Sequence, residues 1–487
     1  MAATFSVEAI VLNPSAPINL HRQLYAQLRR LIENRALASG GALPSTRLLA
    51  KDLDIGRNSV IAAYDQLALE GYLRLRRGAT PLVVDLPTRS QAPLQPRPSR
   101  SSHISARGKV LKAQRYHHGK PGSFALHPGM PDPDNFPFNT WSRLLARQAR
   151  RARHDLFGAY HVTGHPPLRE AIARYLSVSR GVNCTAEQIF ITNGAQSAFD
   201  LLARLLLDPG DTVWMEEPGY YGASAAFAAA GARLSPLRVG ETGWQLDPPP
   251  AAPRLIFVTP SCHHPLGVTM PMEQRLNLLR LAENWNAWII EDDYDSEYRF
   301  QGQPIPALQG VDVSNRTVFV GTFAKILFPA MRLGFMVVPA TISEGIVAAL
   351  STTGQHAPLL TQAALADFMN EGHFARHLRR MRRLYAARRQ NFMTICEEHL
   401  GEWLRLPRTE SGIQLVGHFQ SAHDDKAVAA AAVAQGLNVS PLSIQYRHAN
   451  PQHGLVMGFA AADEKTTKKA IQKLQHVFQN TKPQKRG

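Results

Sequence analysis

Cysteine is scarce: Cys184, Cys262 and Cys396 are the only three in 487 residues, far apart and odd in number. That excludes a disulfide framework and is the usage expected in a reducing cytosol. Long apolar runs are missing too. No window approaches the roughly 18 apolar residues that a membrane span needs, and the blandest stretch, Ala223 to Ala232, is short and ends at Arg233. The N-terminus has no basic start and carries Glu8. No signal peptide and no membrane partner are therefore expected, and the chain is assigned to the cytoplasm. Acidic residues are the third shortage, 38 Asp and Glu against 54 Lys and Arg. The imbalance is local. Residues 1–120 hold 18 basic and 7 acidic side chains, a balance of +11, whereas the other 367 hold 36 and 31. Positive charge gathered in a quarter of the chain is either a solvated tail or the footprint of a polyanion binder.

A chain of this length implies two or three domains. From Asn19 to about Arg35, Leu20, Leu24, Leu28, Leu31 and Ile32 recur at helical spacing, with Asn19 as a cap. After Gly40-Gly41, Pro44-Ser45-Thr46 offers a second cap, and Arg47–Leu53 reads as a short helix. Asp54-Ile55-Gly56 makes a turn, Arg57–Leu69 a further helix ended by Gly71, and Tyr72–Arg76 and Leu82–Val84 read as two strands of a hairpin. Residues 86–120 turn to Pro, Ser, Arg and Gln without apolar periodicity, which predicts a flexible linker. Beyond Phe124, short apolar runs (Ile189–Thr192, Val213–Glu216, Leu255–Thr259, Trp288–Glu291, Val318–Val320, Phe335–Val338) alternate with helical segments. That alternation predicts an α/β domain with a mainly parallel sheet covered on both faces. From about Gly354 the pattern suggests a smaller C-terminal α+β subdomain. The expected domains are residues 1–85, a linker over 86–120, and 121–487.

Short helix, tight turn, second helix is the helix-turn-helix order, in which the second helix enters the DNA major groove with its first residues at base edges. Those residues are Arg57, Asn58 and Ser59. Arg pairs with guanine through two hydrogen bonds and Asn with adenine likewise. Ser45 and Arg47 open the preceding helix where they would meet phosphate. Arg74, Arg76 and Arg77 lie on the hairpin, a wing against the DNA backbone.

In the large domain Lys325 follows an apolar strand within Gly321-Thr322-Phe323-Ala324-Lys325. A lysine amine can bond covalently to an aldehyde cofactor. Upstream, a strand ends in Glu291-Asp292-Asp293-Tyr294, and an aspartate there can keep a pyridine nitrogen protonated. Gly194, Ala195 and Gln196 join a strand to a helix, whose free N–H groups and dipole favour a phosphate. Thr322 adds a hydroxyl, Arg332 a charged fork, and Tyr220 an aromatic face. Sheets of this kind bind ligands at the carboxyl ends of their strands.

The run LPSTRLLAKDLDIGRNSVIAAYDQLALEGYL (Leu43–Leu73) resembles the GntR-type winged helix. It does so through Pro44, Ser45, Arg47, Arg57, Ser59, Val60, Tyr64, Leu67, Glu70, Gly71 and Tyr72. The remainder resembles a PLP-dependent transferase of fold type I. Its matching text is Gly164-His165-Pro166-Pro167-Leu168-Arg169-Glu170, Ile191-Thr192-Asn193-Gly194-Ala195-Gln196, Gly267-Val268-Thr269-Met270 and Phe328-Pro329-Ala330-Met331-Arg332-Leu333-Gly334. Together they resemble the MocR/GabR subfamily of GntR regulators. The resemblance implies pyridoxal 5'-phosphate as cofactor, with Lys325 as Schiff-base lysine, Asp292 at the ring nitrogen and Tyr294 at the ring hydroxyl. It places Gly194, Ala195, Gln196, Thr322 and Arg332 on the phosphate and Tyr220 in a stack. It also implies a head-to-tail homodimer, double-stranded operator DNA as partner, and sensing of the cofactor or of an amine or amino acid.

This chain departs from that pattern in places. Gly56 replaces a Ser before the recognition helix, and the wing tip reads Arg77-Gly78-Ala79-Thr80. His264 stands where aminotransferases carry an Asn toward the ring hydroxyl, and Ala324 where a Ser is common. Val456 occupies the place of an Arg that clamps substrate carboxylates in relatives; Arg447 is a nearby substitute or a surface loop residue. The Cys262-His263-His264 cluster lacks further spaced ligands, so no metal site is expected. Three functions are compatible with these residues: a cofactor-dependent regulator with at most residual transaminase activity, an aminotransferase with a vestigial DNA-binding domain, and a DNA-binding protein that has lost the cofactor. The first is favoured because the winged helix is joined to a complete lysine site.

Overall fold

A computed structural model describes residues 7–76, 79–85, 104–113, 124–151, 156, 158, 161–302, 305–448, 450–481 and 483. The chain divides into two compact units, Met1–Ser102 and His103–Gly487.

In the first unit α1 (Leu20–Glu33), α2 (Thr46–Asp52) and α3 (Arg57–Leu69) precede a short ribbon of β1 (Leu73–Arg74) and β2 (Leu82–Val83). The strands are shorter than the alternation predicts. The expected side-chain cap at Asn19 does not form; its carbonyl instead takes the N–H groups of Arg22 and Gln23. Ser45 does cap α2, accepting from Leu48 N at 3.3 Å. Leu24, Leu28, Ile32, Leu49, Val60, Ala63, Tyr64 and Leu67 close the core. The Glu70-Gly71-Tyr72 stretch has a structural use: Gly71 turns the chain at φ +81°, and Tyr72 donates to Glu33 of α1 at 2.8 Å.

Residues 106–113, predicted as linker, form α4 (Ala106–Ala113) in the second unit, against α8 (Tyr221–Ala229). Ser105 starts it, accepting from Gly108 N, and Ala, Lys and Leu sustain it without strict amphipathic spacing. Residues 86–103 and 114–120 lie outside the described residues.

The second unit is built on one eight-stranded sheet. Its strands are β3 (Ile189–Thr192), β4 (Thr212–Glu217), β5 (Arg233–Gly240), β6 (Gly243–Trp244), β7 (Leu255–Val258), β8 (Trp288–Asp293), β9 (Thr317–Thr322) and β10 (Gly334–Val337), in the order β3-β10-β9-β8-β7-β4-β5-β6. β9, β8, β7, β4 and β5 are parallel, while β10 runs antiparallel to both its neighbours. Alternate side chains enter opposite layers. Ile290, Val318 and Val320 pack under α7 (Ala195–Leu206), α8 and α11 (Ala340–Thr353). Ile289 and Phe319 face the opposite layer, which holds α6 (Pro166–Arg180), α9 (Met272–Asn284), α10 (Leu308–Val311) and α12 (Leu359–Asn370). α5 (Phe138–Arg151) lies on α12.

The C-terminal part carries a separate four-stranded antiparallel sheet of β11 (Leu404–Arg405), β12 (Gln414–Phe419), β14 (Gly454–Gly458) and β13 (Ser440–Pro441). With it go α13 (His373–Leu400), α14 (Asp425–Ala434) and α15 (Glu464–Asn480). The sequence placed this change near Gly354, but α12 still packs against α5 and α6, and the second sheet begins at Leu404.

The turn that feeds β9 is organised by Asp312, which accepts from the N–H groups of Ser314, Arg316 and Thr317 and from both hydroxyls, at 2.7–2.8 Å. Burial works against its charge, yet these donors hold the carboxyl below its ordinary value. Asp312→Ala should cost about 2–3 kcal/mol in urea unfolding, because several donors lose a charged acceptor. With a depressed native value, this contribution is present near neutral pH and is lost as pH falls through that value.

Candidate cofactor site and DNA-reading helix

Register sets the site. In β10, Gly334 pairs with Thr192 of β3 on one side and Thr322 of β9 on the other. The ends of β3 and β9, the start of α7 and the Arg332 turn therefore meet at one sheet edge. Gly334 lies so close to Gly194 that a Cβ there would fall 2.9 Å from the Gly194 Cα. Gly194 precedes α7, whose first N–H groups point outward without intrahelical acceptors. Thr322 Oγ1 accepts from Ala324 N at 3.2 Å. Arg332 is exposed; its backbone N–H donates to Pro329 O at 3.3 Å, while its guanidinium has no hydrogen-bond or ion-pair partner among the described residues. Backbone N–H groups, a hydroxyl and an arginine thus lie at one sheet edge, a set of groups that would suit a phosphate. The Gln196 side-chain amide donates to Gly222 O at 2.9 Å, so it is the Gln196 backbone N–H, as the helix start implies, that is open to an anion.

The three acids at the end of β8 are sorted by strand alternation. Glu291 accepts from Leu308 N and Gln309 N, and Asp293 pairs with Arg180 at 2.8 Å. Asp292 points the other way, toward the α7 layer, and its buried Oδ1 has no hydrogen-bond partner. Burial, then the charges of Asp293, Glu216 and Asp295, push its carboxyl well above the ordinary range. Such an acid lacks a cationic donor, and a protonated pyridine N–H supplies one.

Lys325 is half-buried, with its amine on the carbonyl of Gly129 at 2.8 Å. Burial lowers its proton affinity against the pull of Asp295 and Asp292, which raises the share of neutral, nucleophilic amine. His264 is edge-on to Tyr220 (centroids 5.4 Å) and to Tyr294 (5.8 Å). Burial and the Lys325 charge depress it to about 3, so it is a neutral imidazole near pH 7. The Cys262-His263-His264 cluster fans out: His263 lies edge-on to Trp244, His264 faces the two tyrosines, and Cys262 lies 3.7 Å from the Tyr294 hydroxyl.

Several lining residues escaped the sequence reading. Gly129 arrives because the chain at Leu126 bridges to Gly458 of β14, where a Cβ would sit 1.9 Å from the His127 carbonyl. Gln414 of β12 reaches His264 Nδ1 at 3.3 Å, and Ile413 N donates to Asp295 at 3.2 Å. Asp295 belongs to the same acidic run as Asp292 and could have been suspected; Gly129 and Gln414 are distant in sequence and carry no local signal. Val456 is buried in β14 opposite Val416 and Ser440. Arg447 bonds Ser224 Oγ and lies over the Tyr221 ring at 5.2 Å.

In the first unit Arg57 and Asn58 are exposed on the opening turn of α3, with Ser59 half-buried beside them. Arg57 Nε lies 3.5 Å from Thr46 Oγ1, which joins the starts of α2 and α3, and Ser45 and Arg47 are exposed on the same end of α2. Gly56 provides no side-chain cap, so the first N–H groups of α3 are open. Arg77 lies outside the described residues.

Gly129 has φ +62°, and a Cβ on it would fall 2.6 Å from Lys325 Nζ. Gly129→Ala is therefore expected to weaken capture of pyridoxal phosphate at least about tenfold, since a displaced nucleophile loses its alignment; titration of the visible absorption band measures it.

Residues 20–83 match the family described as bacterial regulatory proteins, gntR family, and residues 131–474 match aminotransferase class I and II. The chain is 49% identical over 475 residues to the probable rhizopine catabolism regulatory protein MocR of Rhizobium meliloti, covering 96% of each. It is 32% identical to the pyridoxine biosynthesis transcriptional regulator PdxR of Corynebacterium glutamicum, over 94% of this chain and 95% of that one. Among solved structures, an archaeal alanine:glyoxylate aminotransferase superposes with a TM-score of 0.68 at 25% identity, over 77% of this chain and 96% of its own. The α-aminoadipate aminotransferase LysN of Thermus thermophilus also gives 0.68, at 23% identity, over 77% and 95%. The chain belongs to the MocR-type GntR regulators, transcription regulators in which a GntR helix-turn-helix is joined to an aminotransferase-like domain of fold type I whose expected cofactor is pyridoxal phosphate.

Proposed function

We propose that this regulator holds pyridoxal 5'-phosphate at Lys325 and reads operator DNA with the start of α3, a small amine adjusting the second property through the first. The carrying observation is the buried, half-unpaired carboxyl of Asp292, set at the same sheet edge as a half-buried lysine and an open helix N-terminus. When bound, the cofactor supplies an aldehyde that bonds to a primary amine and a ring that withdraws electrons from that bond. Asp292 keeps a proton on the ring nitrogen. Gly194, Ala195 and Gln196 offer backbone N–H groups to the phosphate, with Thr322 and Arg332 beside them. Tyr220 lies against the ring, and Tyr294 and neutral His264 serve its hydroxyl. Arg57, Asn58 and Ser59 read bases, while Ser45, Arg47 and Arg77 hold the DNA backbone. The working domains are residues 1–85 and 121–487, the chain acts in the cytoplasm as a head-to-tail homodimer, and transamination is residual at most, with Val456 in β14.

Lys325→Ala should abolish the visible band of the reconstituted protein, and Asp292→Asn should weaken uptake at least about tenfold by leaving the ring proton without its anion. A wild-type chain that takes up the aldehyde without any band would sink the site. Arg57→Ala should cost about 1–3 kcal/mol of specific operator affinity while leaving the band intact. Unchanged affinity in a gel-shift titration would mean that α3 does not read the operator.

A further inference from the structure

We infer that the small molecule sensed at this site is an amine without a carboxylate, whose far end carries a hydroxyl or a second ammonium, and that Asp295 selects for it. This rests on the cofactor reading above and goes beyond it by naming the ligand class. With Asp292 assigned to the ring nitrogen and Lys325 to the aldehyde, three groups remain for a ligand, two brought by distant segments and one by the acidic run itself. Gly129 supplies a carbonyl oxygen, now 2.8 Å from Lys325 Nζ. Gln414 lies on the same side, its Oε1 3.4 Å from where a Gly129 Cβ would stand. Asp295 is 1% exposed; one oxygen takes Ile413 N at 3.2 Å and the other, Oδ1, has no hydrogen-bond partner.

The electrostatics run one way. The charges that act on the Lys325 amine are those of Asp295 first and Asp292 second, both attractive to a cation. Asp295 itself is raised to about 7 by burial, so it is about half protonated near neutrality. An ammonium or hydroxyl at this point would pair the bare Oδ1 and favour the charged form. A ligand carboxylate would meet the same oxygen as a second anion, in a space where like charges are poorly screened. Val456, buried between Val416 and Ser440, supplies no counter-charge from β14. Selection here comes as much from rejecting the anion as from holding the cation.

The test uses the full chain loaded with pyridoxal phosphate. Three probes share a carbon skeleton and differ at the far end: 3-aminopropan-1-ol, 1,3-diaminopropane and β-alanine. Binding is followed by the shift of the cofactor band and by calorimetry. The alcohol and the diamine should bind at least about tenfold more tightly than β-alanine, a difference of about 1.4 kcal/mol. Asp295→Asn should shrink that preference to within about threefold, since the repelling charge is gone. Equal or tighter binding of β-alanine, or no binding of either amine, overturns the inference, as does an Asp295→Asn preference equal to that of the wild type. The wild-type comparison stands even where the variant does not fold. Failure of the wild-type chain to form a band with the cofactor alone is a different result, and it removes the cofactor reading instead.

Discussion

A carboxylate withdrawn from water with one oxygen unpaired is costly wherever it occurs. Asp292 is such a group, and the second unit can be understood as the scaffold that holds it in place. Strand alternation turns Glu291 and Asp293 into the opposite layer, where backbone N–H groups and Arg180 satisfy them. The same alternation leaves Asp292 on the layer of α7, at the edge where a helix start collects an anion. An acid at one end of the site and open N–H groups at the other make a dipolar receptor. A ligand with a protonated ring nitrogen and a phosphate has the complementary charges. The penalty of burying the acid is offset only when such a ligand arrives, so ligand binding should also stabilise the fold.

The site is closed from the lysine side by segments far away in sequence. The chain at Leu126 runs beside Gly458, and only a residue without a side chain lets the His127 carbonyl approach there. Gly412, Ile413 and Gln414 come from the same four-stranded sheet or its border. Lys325 and Asp292, by contrast, ride on the eight-stranded sheet or just beyond it. A ligand between them would touch groups held by both sheets. Any change in its size or charge acts on the contact between the two sheets, and a ligand shifts a conformational balance only through such differential contacts.

Much of this was legible in the sequence, for identifiable reasons. Parallel strands buried on both faces are continuous apolar runs, so Ile189–Thr192 was readable to the residue. Gly194, Tyr220, Asp292 and Lys325 each lie at or just beyond the end of a readable strand, although the sheet order places those ends as Gly194, Lys325, Asp292, Tyr220. Winged-helix residues could be read because turn and cap chemistry is local, as with Ser45 and Gly71. Local rules failed where long-range packing decides. α4 forms without the apolar spacing that announces a helix, and its neighbour α8 lies over a hundred residues later. Asn19 was a good cap by residue type, but its own carbonyl took the donors. The backbone position of Gln196 is a local feature, whereas the direction of its side chain is set by Gly222 on the next helix. The wall opposite the lysine was invisible for the same reason: a glycine and a glutamine separated by nearly three hundred positions have no shared pattern.

An enzyme and a sensor ask different things of such a site. Turnover requires that both halves of a reaction be bound with comparable strength, including the acid product of an amino acid, and that interactions strengthen in the transition state. Sensing requires only that one ligand change the relative free energy of two states. The charge pattern around Lys325 satisfies the second demand more readily than the first. Carboxylates act on the lysine from two positions, β14 presents a buried valine, and Arg447 is engaged with Ser224 and Tyr221. An aminotransferase handling α-amino acids would meet its substrate's carboxylate with acids on that side. A regulator loses nothing by the same arrangement, because the amine that fits best need never leave as a different molecule.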